Sequence, residues 1–151
     1  MRAPRIPPVA LALVVALVMW AASRRWPQFA VPLPAPTAVA AGFAVFGAGV
    51  ALAGATAFRA AGTTVNPLTP GGASAVVRRG VYRFSRNPMY VGLVAGLLGW
   101  GVYLSHALAL AGVPVLAWWL DRFQIAAEEQ ALRARFGAEF DEYCRQVRRW
   151  M

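Results

Sequence analysis

Three stretches without Asp, Glu, Lys or Arg constrain this chain most, because each suits a membrane-spanning helix or a pair of them. Residues 9–22 and 35–58 contain no charged residue, and residues 88–120 contain one histidine, His106. A spanning helix needs about 20 apolar residues, with a range of roughly 17 to 25. The second stretch meets that length, the third suits two short helices folded as a hairpin, and the first suffices once residues 6–8 are included. We therefore predict four transmembrane helices.

The predicted fold class is all-α, integral to a membrane, with a cytosolic amphipathic helical tail after the last span. Residues 1–151 form a single domain in this interpretation. The predicted segments are transmembrane helices at about 6–22, 36–58, 88–104 and 107–123, a long cytosolic loop at 59–87 and the tail at 124–151. Pro114 is expected to kink the fourth helix.

The distribution of charge predicts how these helices are oriented. The net charge is +9, all 15 basic residues are arginines, and all six acids lie between Asp121 and Glu142. The arginines flank the apolar stretches, which follows the positive-inside rule. With both termini in the cytoplasm, only Arg24 and Arg25 of the 15 lie outside. Nucleic-acid binding is not expected, and the composition, rich in Ala, Gly and Arg without lysine, favours a bacterial inner membrane.

The sequence also argues against several other functional classes. Cys144 is the one cysteine, so neither an intramolecular disulfide nor a cysteine-based zinc set is possible. A single histidine and clustered acids make a dedicated metal site unexpected.

The first apolar stretch also resembles a signal peptide, with small residues at 21–23. We interpret it as a retained anchor helix, because its removal would place a basic segment on the wrong side.

The polar stretch YRFSRNPMYVG, residues 82–92, contains the start of the third predicted helix. Pro88 suits the first helical position, where its missing N–H is not needed. Asn87 suits the N-cap, where its side chain would accept a hydrogen bond from a free backbone N–H. Gly92 and Gly96 predict a face on which another helix can approach closely.

The start of this helix has the charge pattern of a ligand site. A helix N-terminus attracts anions, and Arg83 and Arg86 would strengthen that attraction. Because the third and fourth helices are antiparallel, Glu128 and Glu129 would reach the same membrane face. Anion-binding groups, carboxylates and two tyrosines together suit a zwitterion with an aromatic ring. The same residues could instead be only topology anchors, a helix cap and a solvated helix face.

The tail is predicted to be amphipathic and to break once. Apolar residues at helical spacing form one stripe, namely Leu132, Phe136, Phe140, Tyr143 and Val147. Glu129 and Arg133, and likewise Asp141 and Arg145, are spaced as i,i+4 ion pairs. Gly137 is expected to break or bend the helix.

Three segments in this order resemble a known membrane family. GTTVNPLTP, RRGVYRFSRNPMYVG and AAEEQALRARFGAEFDEYCRQVRR together cover much of residues 62–150. They resemble the integral-membrane methyltransferases related to isoprenylcysteine carboxyl methyltransferase and to phospholipid N-methyltransferases. The resemblance implies S-adenosyl-L-methionine as the cofactor and a lipophilic small molecule or lipid as the substrate.

The resemblance also implies roles for individual residues. Those implied to bind the cofactor are Tyr82 of a G-x-Y element, Arg86, Asn87, Pro88, Met89 and Tyr90 of an R-[HN]-P-x-Y element, and Glu128 of an E-E-x-x-L element. Glu128 and Glu129 are the nearest candidate bases if the acceptor is an amine. Gln124 stands where the isoprenylcysteine enzymes place an arginine that engages the substrate.

The expected function is methyl transfer to a lipophilic acceptor at the membrane–cytosol interface. A lipid amine, an isoprenoid and an isoprenylcysteine-like compound are all compatible acceptors. Two alternatives remain open from the sequence. One is a small four-helix transporter, for which His106 is the available intramembrane ionisable residue. The other is a non-catalytic membrane scaffold, for which the replacement at Gln124 is the best argument.

Overall fold

The computed structural model describes residues 6–62 and 75–151, and within these two ranges the chain forms helices and no strand. The helices are α1 (Pro8–Arg25), α2 (Pro36–Ala60), α3 (Pro88–Leu104), α4 (Ala107–Leu110), α5 (Gly112–Trp119), α6 (Ala126–Phe136) and α7 (Ala138–Gln146). Pro27–Phe29 and Gly80–Arg83 are 3₁₀ helices, and Leu120–Ile125 is a π-helical segment between α5 and α6. The predicted all-α class is confirmed. The GTTVNPLTP motif and part of the predicted 59–87 loop lie outside the described residues.

Two helices, α1 and α2, are long and apolar enough to cross a bilayer by length and composition. Helix α3 is apolar but shorter, at 17 residues. Large apolar side chains of α1 and α2 point away from the protein; Leu13 is 66%, Leu52 66% and Val45 74% exposed. Such an outer surface suits lipid better than water. The count of four spans stays a prediction.

Helices α2 and α3 pack through small residues. A Cβ added to Gly92 would lie 2.5 Å from the Gly47 carbonyl oxygen, and one added to Gly47 would lie 3.2 Å from the Gly96 backbone nitrogen. A Cβ added to Gly99 would lie 2.8 Å from the Cβ of Phe43. The two backbones therefore approach closely at Gly92, as predicted, whereas a Cβ added to Gly96 would meet no atom within 4 Å. The contact at Gly92 fixes where α3 begins relative to α2.

Helix α1 packs against the other side of the α3–α5 hairpin. Met19 is 2% exposed and belongs to the same core cluster as Leu116 and Leu120. His106, at 1% exposed, joins the α3–α4 turn to the connection after α1. Its Nδ1 accepts a hydrogen bond from the backbone N–H of Ala109, and its Nε2 lies 2.8 Å from the Trp26 carbonyl oxygen. His106 is thus a turn residue that caps α4.

The predicted fourth helix, 107–123, differs from the observed one in two ways. The helix is interrupted at Ala111, before Pro114, which lies in the first turn of α5, where a missing N–H costs little. The chain also stays helical beyond residue 123, through the π segment into α6. The chain therefore remains helical at residues 123–124, where the predicted span ends and the predicted tail begins.

The break predicted at Gly137 is confirmed, because this residue has a φ of +51° and separates α6 from α7. The two i,i+4 ion pairs predicted for the tail do not form. Arg133 instead pairs with Asp141 at 2.7 Å, across the α6–α7 turn, and Arg145 pairs with Glu142. The first predicted pair does not form because Glu129 is held by Arg86 and Arg149, and in place of the second Arg145 pairs with Glu142, three residues before it on α7.

Candidate active site

The start of α3 is built differently from its sequence prediction. Asn87 occupies the N-cap position, but its side chain makes no capping hydrogen bond. Its Nδ2 donates instead to the Arg149 carbonyl oxygen at 3.0 Å. Its backbone N–H donates to Ser85 Oγ at 3.0 Å. The prediction that the Asn87 side chain caps the helix is therefore wrong, because residue 149 places a carbonyl within reach of the amide.

One cluster near the start of α3 joins this helix to the π segment and α6. The Tyr90 hydroxyl donates to Glu128 Oε1 at 2.6 Å, and Gln124 Nε2 donates to the same oxygen at 2.6 Å. Tyr90 is 8% exposed and Gln124 is fully buried. No ion pair involves Glu128 in the described part of the chain, so its carboxyl has neutral donors as its partners. Three sequence-predicted residues are thus brought together.

The surroundings of Glu128 favour its protonated form. Burial raises the pKa of the Glu128 carboxyl, and the hydrogen bonds from Tyr90 and Gln124 oppose part of that rise. Within residues 6–62 and 75–151, the Oε1 atom of Gln124 is buried without a hydrogen-bond partner. A buried acceptor of this kind costs free energy unless a donor reaches it. The cluster therefore has spare capacity for N–H or cationic groups.

Glu129, the second acid of the pair, faces a separate network. It is 8% exposed, and its carboxylate accepts from Arg86 at 2.8 Å and from Arg149 at 2.6 Å. Adjacent helical residues point about 100° apart, since a turn holds 3.6 residues. The structure therefore does not bring Glu129 to the Tyr90–Glu128 cluster, although sequence reasoning placed both acids together.

Arg86 is engaged by the chain itself. Its NH1 donates to the carbonyl oxygens of Cys144 at 3.0 Å and Val147 at 2.9 Å, while its NH2 contacts Glu129. The guanidinium thus holds the end of α7 to the start of α3. Arg83, predicted to reinforce an anion site, is exposed.

The remaining predicted residues line the contact between α3 and α2. Tyr82 is 5% exposed and packs edge-on against Phe58, with ring centroids 5.1 Å apart. A Cβ added to Gly54 would lie 2.9 Å from Met89 Cγ, 3.5 Å from the Tyr82 hydroxyl and 3.6 Å from Pro88 Cγ. Burial raises the pKa of Tyr82, and nearby Tyr143 and Glu128 add to the rise. Tyr82 therefore remains a neutral hydroxyl close to the cluster.

Sequence reasoning missed two features of this region. The first is an open groove of about 840 Å³ between the end of α2 and residues 76–81, lined by Ala53, Ala57, Val77 and Arg79, among others. The run of small residues at the end of α2 was its only signal. The second is the set of contacts made by Arg149 and Asp121, for which the sequence carried no local signal.

A metal site finds no support from this geometry. In the two ranges that the structure describes, no three His, Cys, Asp or Glu side chains are grouped so that they could hold a metal ion. Cys144 is half-buried, and burial raises the pKa of its thiol. The functional groups that the described residues bring to this region are a carboxyl, an amide, tyrosine hydroxyls and arginines.

Parts of this sequence are similar to known proteins. Residues 36–139 match the sequence profile of phospholipid methyltransferases. An uncharacterized protein of Haemophilus influenzae is 41% identical over 63 residues, covering 42% of this chain and all of that protein. A probable protein-S-isoprenylcysteine O-methyltransferase of Oryza sativa is 33% identical over 72 residues, covering 48% of this chain and 38% of that protein.

A third relative is the protein-S-isoprenylcysteine O-methyltransferase of Tribolium castaneum. It is 30% identical over 95 residues, which cover 61% of this chain and 34% of that protein. The chain thus spans little more than a third of the length of either O-methyltransferase. The matched profile begins at the first residue of α2 and ends early in α7, so it includes the Tyr90–Glu128 cluster.

Proposed function

Since this chain belongs to the phospholipid methyltransferase family, we propose that it transfers a methyl group from S-adenosylmethionine to a lipophilic acceptor at a membrane face. The observation that carries the proposal is the half-buried Glu128 carboxyl, held by Tyr90 and Gln124 without a cation partner in the described residues. Because the charged form of this carboxyl has no counterion among the described residues, a positively charged ligand would stabilise it. The proposed donor carries both an ammonium and a sulfonium group.

The residues present fit this donor. Glu128 can accept from its ammonium group, Gln124 Oε1 has free capacity for an N–H, and the Tyr90 and Tyr82 rings are close by. The donor supplies an activated methyl group. The chain supplies position and a site with little water, and correct positioning alone contributes several kcal/mol to such reactions.

Proton transfer is needed only for some acceptors. An amine must lose a proton before or during attack, and Glu128 is the candidate base because burial raises the pKa of its carboxyl. Glu129 is a poorer candidate, since two guanidinium groups hold its carboxylate. We assign Glu129 to holding the site together.

The proposed location is a bacterial inner membrane, with both termini and the site at the cytosolic face. Support comes from the exposed apolar surfaces of α1 and α2 and from the arginines that flank the helices. A lipophilic acceptor would then reach the site from the bilayer and the donor from the cytosol. A transporter is less well supported, because both ring nitrogens of His106 are engaged in the α3–α4 turn.

The acceptor that Gln124 favours is an amine or another uncharged nucleophile. A cation at this position would help to hold a carboxylate, and a hydrogen bond to a charged group contributes about 1.5–3 kcal/mol. Gln124 carries no charge, and its free carbonyl oxygen suits an N–H donor. A prenylcysteine carboxylate is therefore the less suitable acceptor.

The test is methyl transfer from labelled donor by protein purified into lipid nanodiscs. Two acceptors are compared, an ethanolamine lipid and a prenylcysteine carboxylate, for the wild type and for Gln124→Arg. We expect the wild type to methylate the ethanolamine lipid, and Gln124→Arg to gain activity on the carboxylate. Efficient wild-type methylation of the carboxylate, unimproved by arginine, contradicts the acceptor assignment. Absence of donor binding and of any turnover contradicts the function itself.

A further inference from the structure

The segment after α7, residues 147–151, touches both halves of the candidate site. One half is the start of α3, which carries Tyr90, and the other is the π segment with α6, which carries Gln124 and Glu128. We propose that Arg149 is a positioning residue that holds these two halves in register. The inference rests on the proposed function and adds a residue outside the matched profile.

The backbone of this segment binds the start of α3. The Arg149 carbonyl oxygen accepts from Asn87 Nδ2 at 3.0 Å and lies 3.4 Å from Ser85 Oγ. The Arg86 backbone N–H donates to the Arg148 carbonyl oxygen at 3.0 Å. These contacts fix three successive residues directly before the helix, and the Asn87 carbonyl in turn accepts from the Tyr90 backbone N–H at 3.0 Å.

The side chain of Arg149 binds the other half. Its Nε and NH2 donate to the two oxygens of Glu129, at 3.1 and 2.6 Å, and its NH1 donates to Asp121 Oδ2 at 3.1 Å. Trp150 Nε1 adds a hydrogen bond to Asp121 Oδ1 at 2.9 Å. One guanidinium therefore joins the first turn of the π segment to the first turn of α6, using the paired geometry in which arginine binds carboxylates most strongly.

This arrangement controls the distance between Tyr90 and Glu128. Glu129 is the neighbour of Glu128, and Asn87 lies one turn before Tyr90, so Arg149 binds next to each partner of the 2.6 Å hydrogen bond. The Glu129 carboxylate is 10% exposed and Arg149 33% exposed, so the pair is partly shielded from water. Shielded pairs with two parallel hydrogen bonds hold geometry better than surface pairs. Arg149 itself need not touch either substrate.

The test compares Arg149→Ala and Arg149→Lys with the control Arg145→Ala. Arg145 also lies near the chain end, but it is 69% exposed and pairs with Glu142 on its own helix. Thermal unfolding, donor affinity, kcat and acceptor KM are measured for each. We expect Arg149→Ala to lower kcat about tenfold or more, because small misplacement of reacting groups is costly. The acceptor KM and the Arg145→Ala parameters should stay near wild type.

Chemical rescue separates positioning from folding. Added guanidinium ion, well below denaturing concentration, should restore part of the kcat of Arg149→Ala and leave the wild type unchanged. Arg149→Lys should be intermediate, because one ammonium cannot donate in parallel to Glu129 while reaching Asp121. If Arg149→Ala does not fold, Arg149→Lys carries the same comparison. A wild-type kcat in whichever variant folds overturns the proposal. A loss of kcat in Arg149→Ala that added guanidinium does not restore also overturns it.

A distance measurement keeps this inference separable from the proposed function. Spin labels at Arg83→Cys and Ala134→Cys, in a Cys144→Ser background, report the separation of the start of α3 from α6; both positions are exposed. We expect a broader distance distribution with Arg149→Ala and an unchanged one with Arg145→Ala. An unchanged distribution in Arg149→Ala overturns the positioning role even if the wild type is active. A broader distribution in an inactive protein leaves the positioning role intact and removes the methyltransferase assignment.

Discussion

Two neighbouring glutamates of α6 differ in their hydrogen-bond partners, and therefore in how their charge is compensated. Glu128 accepts from a tyrosine and an amide, whereas Glu129 accepts from two guanidinium groups. Glu129 therefore has its charge compensated within the protein. Burial raises the pKa of the Glu128 carboxyl, so its charged form is the costlier one in the absence of a ligand. This difference is why we propose Glu128 as the ligand-binding acid and Glu129 as the structural one.

A pH dependence of stability follows for Glu128. Its pKa is raised in the folded state above the ordinary value of 4.5, so its contribution to stability is present below that pH and is lost as pH rises through the folded-state pKa. We expect the thermal midpoint of the donor-free wild type to fall relative to Glu128→Gln between pH 4.5 and neutrality. If the thermal midpoints of the wild type and of Glu128→Gln change in parallel across this range in the same detergent, the raised pKa of Glu128 is contradicted.

Tyr90 provides a second residue-scale prediction. Tyr90→Phe removes the hydroxyl that orients the Glu128 carboxyl, and hydrogen bonds to charged groups contribute about 1.5–3 kcal/mol. We expect donor affinity measured by calorimetry to weaken about tenfold or more. Tyr103→Phe is the matched control, because Tyr103 lies on the same helix, is 51% exposed and stacks on Trp100. Equal affinities of the two variants would remove Tyr90 from the donor site.

At the scale of elements, the contact between α2 and α3 decides where the site lies. Helices in a membrane lack a hydrophobic drive to associate, so close packing of small residues stabilises their contact. Gly47 and Gly92 let the two backbones meet, and Gly54 leaves room for Met89 and Tyr82. The first turn of α3 is thereby held against α2, while its opposite side faces α6.

Substitutions of two glycines on α3 test this contact. Gly92→Ala places a Cβ 2.5 Å from the Gly47 carbonyl oxygen, where backbone must move. Such overpacking costs about 1–3 kcal/mol, and we expect a lower thermal midpoint. Gly96→Ala, one turn later, meets no atom within 4 Å and gains helix propensity worth up to about 1 kcal/mol. A midpoint for Gly92→Ala equal to or above that of Gly96→Ala would contradict the close contact.

At the scale of the whole molecule, the apolar outer surfaces of α1 and α2 and the flanking arginines predict a membrane topology. The connection between α1 and α2 should lie outside, and the α6–α7 turn should lie in the cytosol. Reporter fusions at Pro34 and at Gly137 should therefore report opposite sides. Both positions lie in connections between helices, so fusion there disturbs little packing. Reports from the same side would contradict the four-span arrangement.

Much of this architecture was predictable because its causes are local in the chain. The all-α class follows from long uncharged apolar stretches, and α3 runs from Pro88 to Leu104 as predicted. Gly137 ends α6 because it adopts a positive φ that other residues avoid. Glu128 and Gln124 are four residues apart on one helical face, and an antiparallel hairpin brings that face to Tyr90. Sequence spacing and hairpin geometry were sufficient for this cluster.

Tertiary structure alone decided the partners of the other polar residues. Asn87 was predicted to cap α3, Arg86 to bind a ligand and Glu129 to act beside Glu128. Each instead meets a group from residues 144–149, about sixty positions after the first two and about twenty after the third. No periodicity or spacing encodes such contacts, because several carbonyls and guanidinium groups compete for each donor and acceptor. Only the folded position of the segment after α7 selects among them.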